Sequence, residues 1–161
     1  SGAAEDCRDG SRNSWCRKRL SLISTTGLER RSVYMLKILI ADESREFRKF
    51  IRRVSEAEQD LEVVGEATSG PELLTLVRQL KPDVALVDVA LSGMGGLEGA
   101  RRIKLELPDT RVILLSVVDE SAVRDAAMRY GADAFLSKGA PISEILTQIR
   151  GRRSKAFTGG V

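Results

Sequence analysis

Hydrophobic and polar positions along residues 36–152 switch between two periods, and each switch marks the end of an element. Apolar runs at Ile38–Ala41, Val84–Val87 and Val112–Leu115 have strand length and β-branched content, which predicts strands buried on both faces. Weaker strands are predicted around Val63–Ala67 and Ala134–Leu136. The segments between them carry apolar residues at helical spacing. Phe47, Phe50, Ile51 and Val54 form one such stripe, and Leu73, Leu76, Val77 and Leu80 a second. Leu97, Ala100, Ile103 and Leu107 give the middle helix, followed by Val123, Ala126, Ala127 and Tyr130, and then Ile142, Ile145, Leu146 and Ile149. The punctuation agrees. Ser69-Gly70-Pro71-Glu72 reads as a capping box with an early proline. Pro82 and Pro108 follow helices, and Gly131 stands where a left-handed C-terminal cap is needed. Five β-α units imply an α/β fold, a parallel sheet with right-handed crossovers and helices on both faces.

Residues 1–34 break this pattern. They are rich in Ser, Arg and Gly, with Trp15 nearly alone among aromatics, and are expected to be mostly disordered. They read as a natural extension, a cloning leader or sequence upstream of the true start, since Met35 directly precedes the first strand. The expected domain is 35–153, with a short tail at 154–161. The 161-residue chain is 42% hydrophobic and 30% charged, an ordinary globular composition with enough residues for a core without staples. No run approaches the ~18 apolar residues of a membrane span, and no apolar stretch makes a signal peptide. A cytoplasmic location without membrane insertion is expected.

Charge narrows the picture further. The net charge of +3 sits wholly in residues 1–34, with seven basic residues against four acidic ones, and the remainder is neutral. Nucleic-acid binding by this chain is therefore not expected. Arg150, Arg152, Arg153 and Lys155 are expected to be a solvated helix end rather than a phosphate-binding patch. Cys7 and Cys16, with no histidine in the chain, make neither a disulfide framework nor a zinc site.

In an open α/β sheet, ligands bind beyond the carboxyl ends of the strands. The first strand ends in Asp42-Glu43, the third in Asp88, the fourth in Ser116 and the fifth in Lys138. Singly, each has an ordinary explanation: a helix N-terminal turn, a turn-opening Asp, an exposed loop lysine. Together they place three carboxylates, a hydroxyl and an ammonium along one edge. Neighbouring carboxylates repel unless a cation lies among them, and hard, partly hydrated oxygen ligands suit Mg²⁺. Lys138 would counter phosphate charge and Ser116 would donate a hydrogen bond to a phosphoryl oxygen. That is the equipment of in-line phosphoryl transfer.

The segments Ile-Ala-Asp42-Glu43-Ser, Val-Asp88-Val-Ala-Leu-Ser-Gly-Met-Gly-Gly96-Leu, Leu-Leu-Ser116 and Gly131-Ala-Asp-Ala-Phe135-Leu-Ser-Lys138 together resemble the response-regulator receiver domains of two-component signalling, over roughly Leu36–Arg152. The resemblance implies a flavodoxin-like doubly wound (βα)5 fold with strand order 2-1-3-4-5. It implies Asp88 as phosphoacceptor, assisted by Lys138 and Ser116, and a Mg²⁺ cofactor held by Asp42, Glu43, Asp88 and the carbonyl of Ala90. Ser116 and Phe135 would be the switch pair. The chain departs from the family pattern at four places: Glu43 for an Asp, Leu91-Ser92 for Met-Pro, Gly95 for an acidic or amide residue, and Gly139 for proline. Phe135 also lacks a hydroxyl.

The implied role is a phosphorylation switch rather than a turnover enzyme. A sensor histidine kinase or phosphotransfer protein would supply the phosphoryl group. Output would pass through the face of the fourth helix, fifth strand and fifth helix to a partner protein, to a phosphorylation-dependent homodimer or to an effector domain outside this chain. Non-polar Ala90 and Val118 beside the acceptor predict slow self-dephosphorylation. Two other readings compete. One is a receiver-like interaction module that is never phosphorylated. The other is a flavin carrier, against which the loop Asp42-Glu43-Ser44-Arg45-Glu46 would repel a bare phosphate.

Overall fold

The computed structural model describes residues 34–151. The expectations for residues 1–33, including Trp15, Cys7 and Cys16, lie outside the described residues, as do those for Arg152, Arg153, Lys155 and the tail at 154–161. Five strands and five helices alternate: β1 (Leu36–Ala41), α1 (Arg45–Glu56), β2 (Leu61–Ala67), α2 (Gly70–Leu80), β3 (Val84–Asp88), α3 (Gly96–Glu106), β4 (Arg111–Ser116), α4 (Ser121–Arg129), β5 (Ala134–Ser137) and α5 (Ile142–Arg150). The strands form one parallel sheet in the order β2-β1-β3-β4-β5. This is the order the resemblance implied. No helix among the described residues is long and apolar enough to cross a membrane.

Alternation along the strands divides the core between the two faces. Leu39, Ala41, Ala85, Val87, Val112, Leu114 and Phe135 pack with Leu73, Leu74 and Val77 of α2, Ala100 and Ile103 of α3 and Ala127 of α4. The intervening residues Ile38, Ile40, Leu86, Ile113 and Leu115 are equally buried on the opposite face. Right-handed crossovers send α1 to that second face, because β2 lies on the opposite side of β1 from β3. β3 is buried at every position, as its unbroken apolar run requires.

The helix stripes are narrower than their spacing suggested. On α1 the buried residues are Ile51 and Ser55, while Phe50 is 38% exposed and lies 6.2 Å, centroid to centroid, from Phe47. On α4 only Ala127 is buried, and Met128 and Tyr130 face outward. Ile142, the first residue of α5, is also exposed. These residues sit at the rims of their stripes, where the sheet no longer covers them.

The capping box forms with one change. Ser69 Oγ accepts from Glu72 N at 3.3 Å, but Glu72 Oε2 takes Thr68 N at 2.7 Å and Thr68 Oγ1 at 2.9 Å, one residue before the expected return partner. Gly131 has φ of 91°, the left-handed cap that the sequence called for.

Candidate phosphoacceptor site

Parallel register sets the site. Ala41 pairs with Val87, Asp88 with Leu115 and Ser116 with Ser137, so the carboxyl ends of β1, β3, β4 and β5 finish side by side. The residues just past those ends converge. Lys138 Nζ lies 2.6 Å from Asp42 Oδ2 and 2.8 Å from Asp88 Oδ2. Asp42 is 1% exposed and Asp88 8%. Two buried carboxylates thus share one ammonium, which leaves the trio with a net negative charge.

Each carboxylate has a second anchor. Asp42 Oδ1 accepts from Ser44 N at 2.8 Å, and Asp88 Oδ1 accepts from Ala90 N at 3.0 Å. Both are tight side-chain turns of the kind Asp favours after a strand. The contact of Asp42 Oδ2 with Lys138 is close enough for strong charge attraction, but its angle is poor. Asp42 Oδ2 consequently has no aligned hydrogen bond among the described residues. Burial opposes the charge on Lys138, but the attraction of the Asp42 and Asp88 carboxylates outweighs it, and the pKa of Lys138 is raised above its ordinary value. The ammonium is also 4.9 Å from the centroid of the Phe47 ring, a cation–π contact the sequence reading missed.

Ser116 is 7% exposed, and its Oγ accepts from Val118 N at 3.1 Å. Its carbonyl accepts from Lys138 N at 2.8 Å, tying the backbone at 138 to the end of β4. Phe135 is buried in the core, with the Arg124 guanidinium 5.1 Å above its ring.

The expected cluster of three carboxylates is a pair in this structure. Glu43 is exposed, and among the described residues no three acidic, His or Cys side chains converge as a metal centre. Asp42 and Glu43 lie past the end of β1, where the chain bends into α1. Ser44 N captures Asp42, and Glu43 turns outward.

The loop after Asp88 absorbs two of the departures. Leu91 is buried in the core, and the Ser92 carbonyl accepts from Gly70 N at 2.8 Å at the start of α2. Gly96 N returns to Val89 O at 3.0 Å. A Cβ at Gly96 would overlap the Asp88 carbonyl oxygen, so only glycine lets α3 start this close to the acceptor. The Lys138–Gly139 bond is trans, as are the other peptide bonds among the described residues.

Sequence reasoning also missed Arg48. Its Nη1 donates to the carbonyls of Asp42 at 2.8 Å and Glu43 at 3.1 Å, and its Nε to Glu66 Oε2 at 3.0 Å. The available signal was a cation in the opening turns of a helix, where the dipole disfavours it.

Comparison with known proteins agrees with this fold. The family model for the response regulator receiver domain matches residues 38–150. The response regulator GacA of Pseudomonas aeruginosa is 38% identical over 116 residues, covering 72% of this chain and 54% of the relative. UvrY of Escherichia coli is 36% identical over the same length, with 53% of it covered. The chain therefore spans about half the length of these curated relatives. Among solved structures, the signal receiver domain of a response regulator, NarL, from Mycobacterium tuberculosis superposes with a TM-score of 0.69 at 32% identity, covering 74% of this chain and 99% of that one. The receiver domain of AraT from Geobacillus stearothermophilus gives 0.67 at 28%, covering 76% and 98%. Sheet order, the acidic carboxyl edge and the family match lead to one assignment: the chain belongs to the response regulator receiver domains.

Proposed function

We propose that this chain is a phosphorylation switch that accepts a phosphoryl group on Asp88 from a histidine kinase or a phosphotransfer protein in the cytoplasm. The observation that carries the reading is the Lys138 ammonium bridging buried Asp42 and Asp88 at the carboxyl edge of the sheet. A buried acid pair with one cation is an expensive arrangement that a purely structural edge does not need.

The chemistry follows from the groups present. One oxygen of the Asp88 carboxylate attacks phosphorus in line. The new bond is an acyl phosphate, and the bond from phosphorus to the donor breaks with its electron pair leaving on the donor. Ala90 N and Lys138 Nζ hold the two oxygens of Asp88 and so orient the nucleophile. Lys138, kept protonated by its acidic neighbours, offsets charge on the transferring group.

The donor set fits Mg²⁺. Asp42 Oδ2 is a buried anionic oxygen without an aligned donor, and Mg²⁺ takes one or two carboxylates, completing its shell with water and phosphate. Asp42, Asp88 and the carbonyl of Ala90 would hold the ion, and Glu43 would join on rearrangement of its exposed side chain. When bound, the ion supplies charge stabilisation to the phosphoryl oxygens.

Ser116 and Phe135 form the proposed relay. Ser116 Oγ would exchange Val118 N for a phosphoryl oxygen, and the change would pass through β5 to the surface of α4 and α5. That surface already exposes Met128, Tyr130 and Ile142. A protein target, a second phosphorylated copy or an effector domain elsewhere in the full-length protein would read it. Ala90 and Val118 offer no polar group to assist water, so the acyl phosphate should persist. A half-life unchanged by Ala90→Asn or Val118→Gln would count against that explanation.

The test is intact mass after incubation with acetyl phosphate, with and without Mg²⁺, on the wild type and Asp88→Asn. The expected result is a Mg²⁺-dependent gain of one phosphoryl group that the variant lacks. No gain on folded protein, either from acetyl phosphate or from a kinase, would favour the unphosphorylated interaction module.

A further inference from the structure

The acidic loop between β1 and α1 is held from behind by a single guanidinium. Arg48 Nη1 binds two successive carbonyls, those of Asp42 and Glu43, while Nε binds Glu66 on the neighbouring strand β2. Its side chain is only 13% exposed. Glu66 Oε1 is engaged by Arg52 Nε at 2.7 Å, so both oxygens of that carboxylate are committed to holding the two arginines. Burial works against the charge on Glu66, yet the hydrogen bonds from Arg52 and Arg48 outweigh it and keep its pKa below the ordinary value.

A cation at this place is unfavourable on general grounds. It sits near the positive end of α1 and close to a site that must attract another cation. Glu66 together with Glu56, which also pairs with Arg52, balances the two arginines, and what remains is geometric. The planar guanidinium ties the Glu66 carboxylate, through Nε, to two successive peptide carbonyls, through Nη1, in one fixed plane, which a freely rotating ammonium does less rigidly. The peptide units it fixes carry the side chains of Asp42 and Glu43.

We propose that Arg48, seated on the Glu66 carboxylate that Arg52 also holds, is a positioning residue that sets the affinity of the Asp42-Glu43 loop for a divalent cation without touching the ion. The proposal rests on the phosphoacceptor reading above. Groups that orient metal ligands from behind change affinity by roughly ten- to a hundredfold when removed.

The experiment measures Mg²⁺ binding to the unphosphorylated full chain by calorimetry, alongside phosphoryl uptake from acetyl phosphate at saturating Mg²⁺. Arg48→Ala should raise the Mg²⁺ dissociation constant at least about tenfold, and uptake at saturation should match the wild type. Arg48→Lys should recover part of the affinity, and Glu66→Gln should weaken it less than Arg48→Ala does. An unchanged dissociation constant in folded Arg48→Ala overturns the proposal, as does uptake that stays low at saturating Mg²⁺ while binding is normal. Should Arg48→Ala not fold, Arg48→Lys and Glu66→Gln decide by the same criteria. Asp42→Asn marks the other kind of failure. If the wild type binds no Mg²⁺, or binds it equally after Asp42→Asn, the phosphoacceptor reading itself falls and takes this proposal with it.

Discussion

The two ends of this sheet are built from the same residue types and do opposite things with them. At the amino edge, acids and bases close the strands. Asp83 Oδ2 accepts from Lys37 N at 2.8 Å, and Asp133 Oδ2 accepts from both Val112 N and Lys104 Nζ. Thr110 Oγ1 donates to Pro82 O, and Arg150 binds Asp60 through two nitrogens and Glu58 through one. Two acids share one base there as well, but Arg150, Glu58 and Asp60 are about one-third exposed and each acid accepts aligned hydrogen bonds. At the carboxyl edge two acids share one base, both acids are nearly inaccessible, and Asp42 Oδ2 lacks an aligned donor. The lesson is that polarity at a strand end says little by itself. What sets the carboxyl edge apart is that its acids are buried and one of their oxygens has no aligned donor among the described residues.

Lys138→Ala should break that contrast most severely. It strands two buried carboxylates beside each other, and the loss should be on the order of 3 kcal/mol, read from urea unfolding without divalent ions. Phosphoryl uptake should fall with it. A variant as stable as the wild type would mean that Asp42 and Asp88 do not depend on the ammonium.

Arg150→Ala tests the other edge. Its side chain and those of Glu58 and Asp60 are about one-third exposed, so the cost should stay near or below about 1 kcal/mol. Mg²⁺ binding and phosphoryl uptake should not change. A loss of uptake would show that the two edges are coupled.

Acid should erode the peripheral ion pairs in a predictable order. Glu66 is held below its ordinary value of 4.5, and the hydrogen bonds from Arg101 and Arg102 hold Glu98 at about 2. Because these folded values are depressed, their contributions are complete above pH 4.5 and are lost as pH falls through the lowered values. The urea midpoint should decline from pH 4.5 towards pH 2, and less steeply in Glu66→Gln. Parallel curves would contradict the assignment.

The smallest effect concerns Ser55, fully buried on α1 with no partner for its Oγ among the described residues. Ser55→Ala removes an unsatisfied hydroxyl and should stabilise by up to about 1 kcal/mol. Destabilisation would reveal a bond made in solution.

Much of this was legible in the chain. The five strands appear near their predicted positions because β-branched runs bounded by Pro and Gly leave few alternatives. The residues ending them, Asp42, Asp88, Ser116 and Lys138, could be read from where each run stops. Side-chain direction was harder. Glu43 was grouped with its neighbour, although a local turn at Ser44 sends the two apart. Arg150 looked like a solvated helix end, but its partners Glu58 and Asp60 lie some ninety positions earlier. Arg48 acts through carbonyls, and its only trace in the residue pattern is a cation in the opening turns of a helix.

The central claim is that the carboxyl edge carries its phosphoryl group on one carboxylate. Borohydride reduces an aspartyl phosphate to homoserine, which marks the acceptor covalently. After incubation with acetyl phosphate and Mg²⁺, reduction and peptide mass analysis should find homoserine at position 88 and at no other acid. Homoserine at position 42, or none on protein shown to have gained phosphate, would contradict the assignment of Asp88.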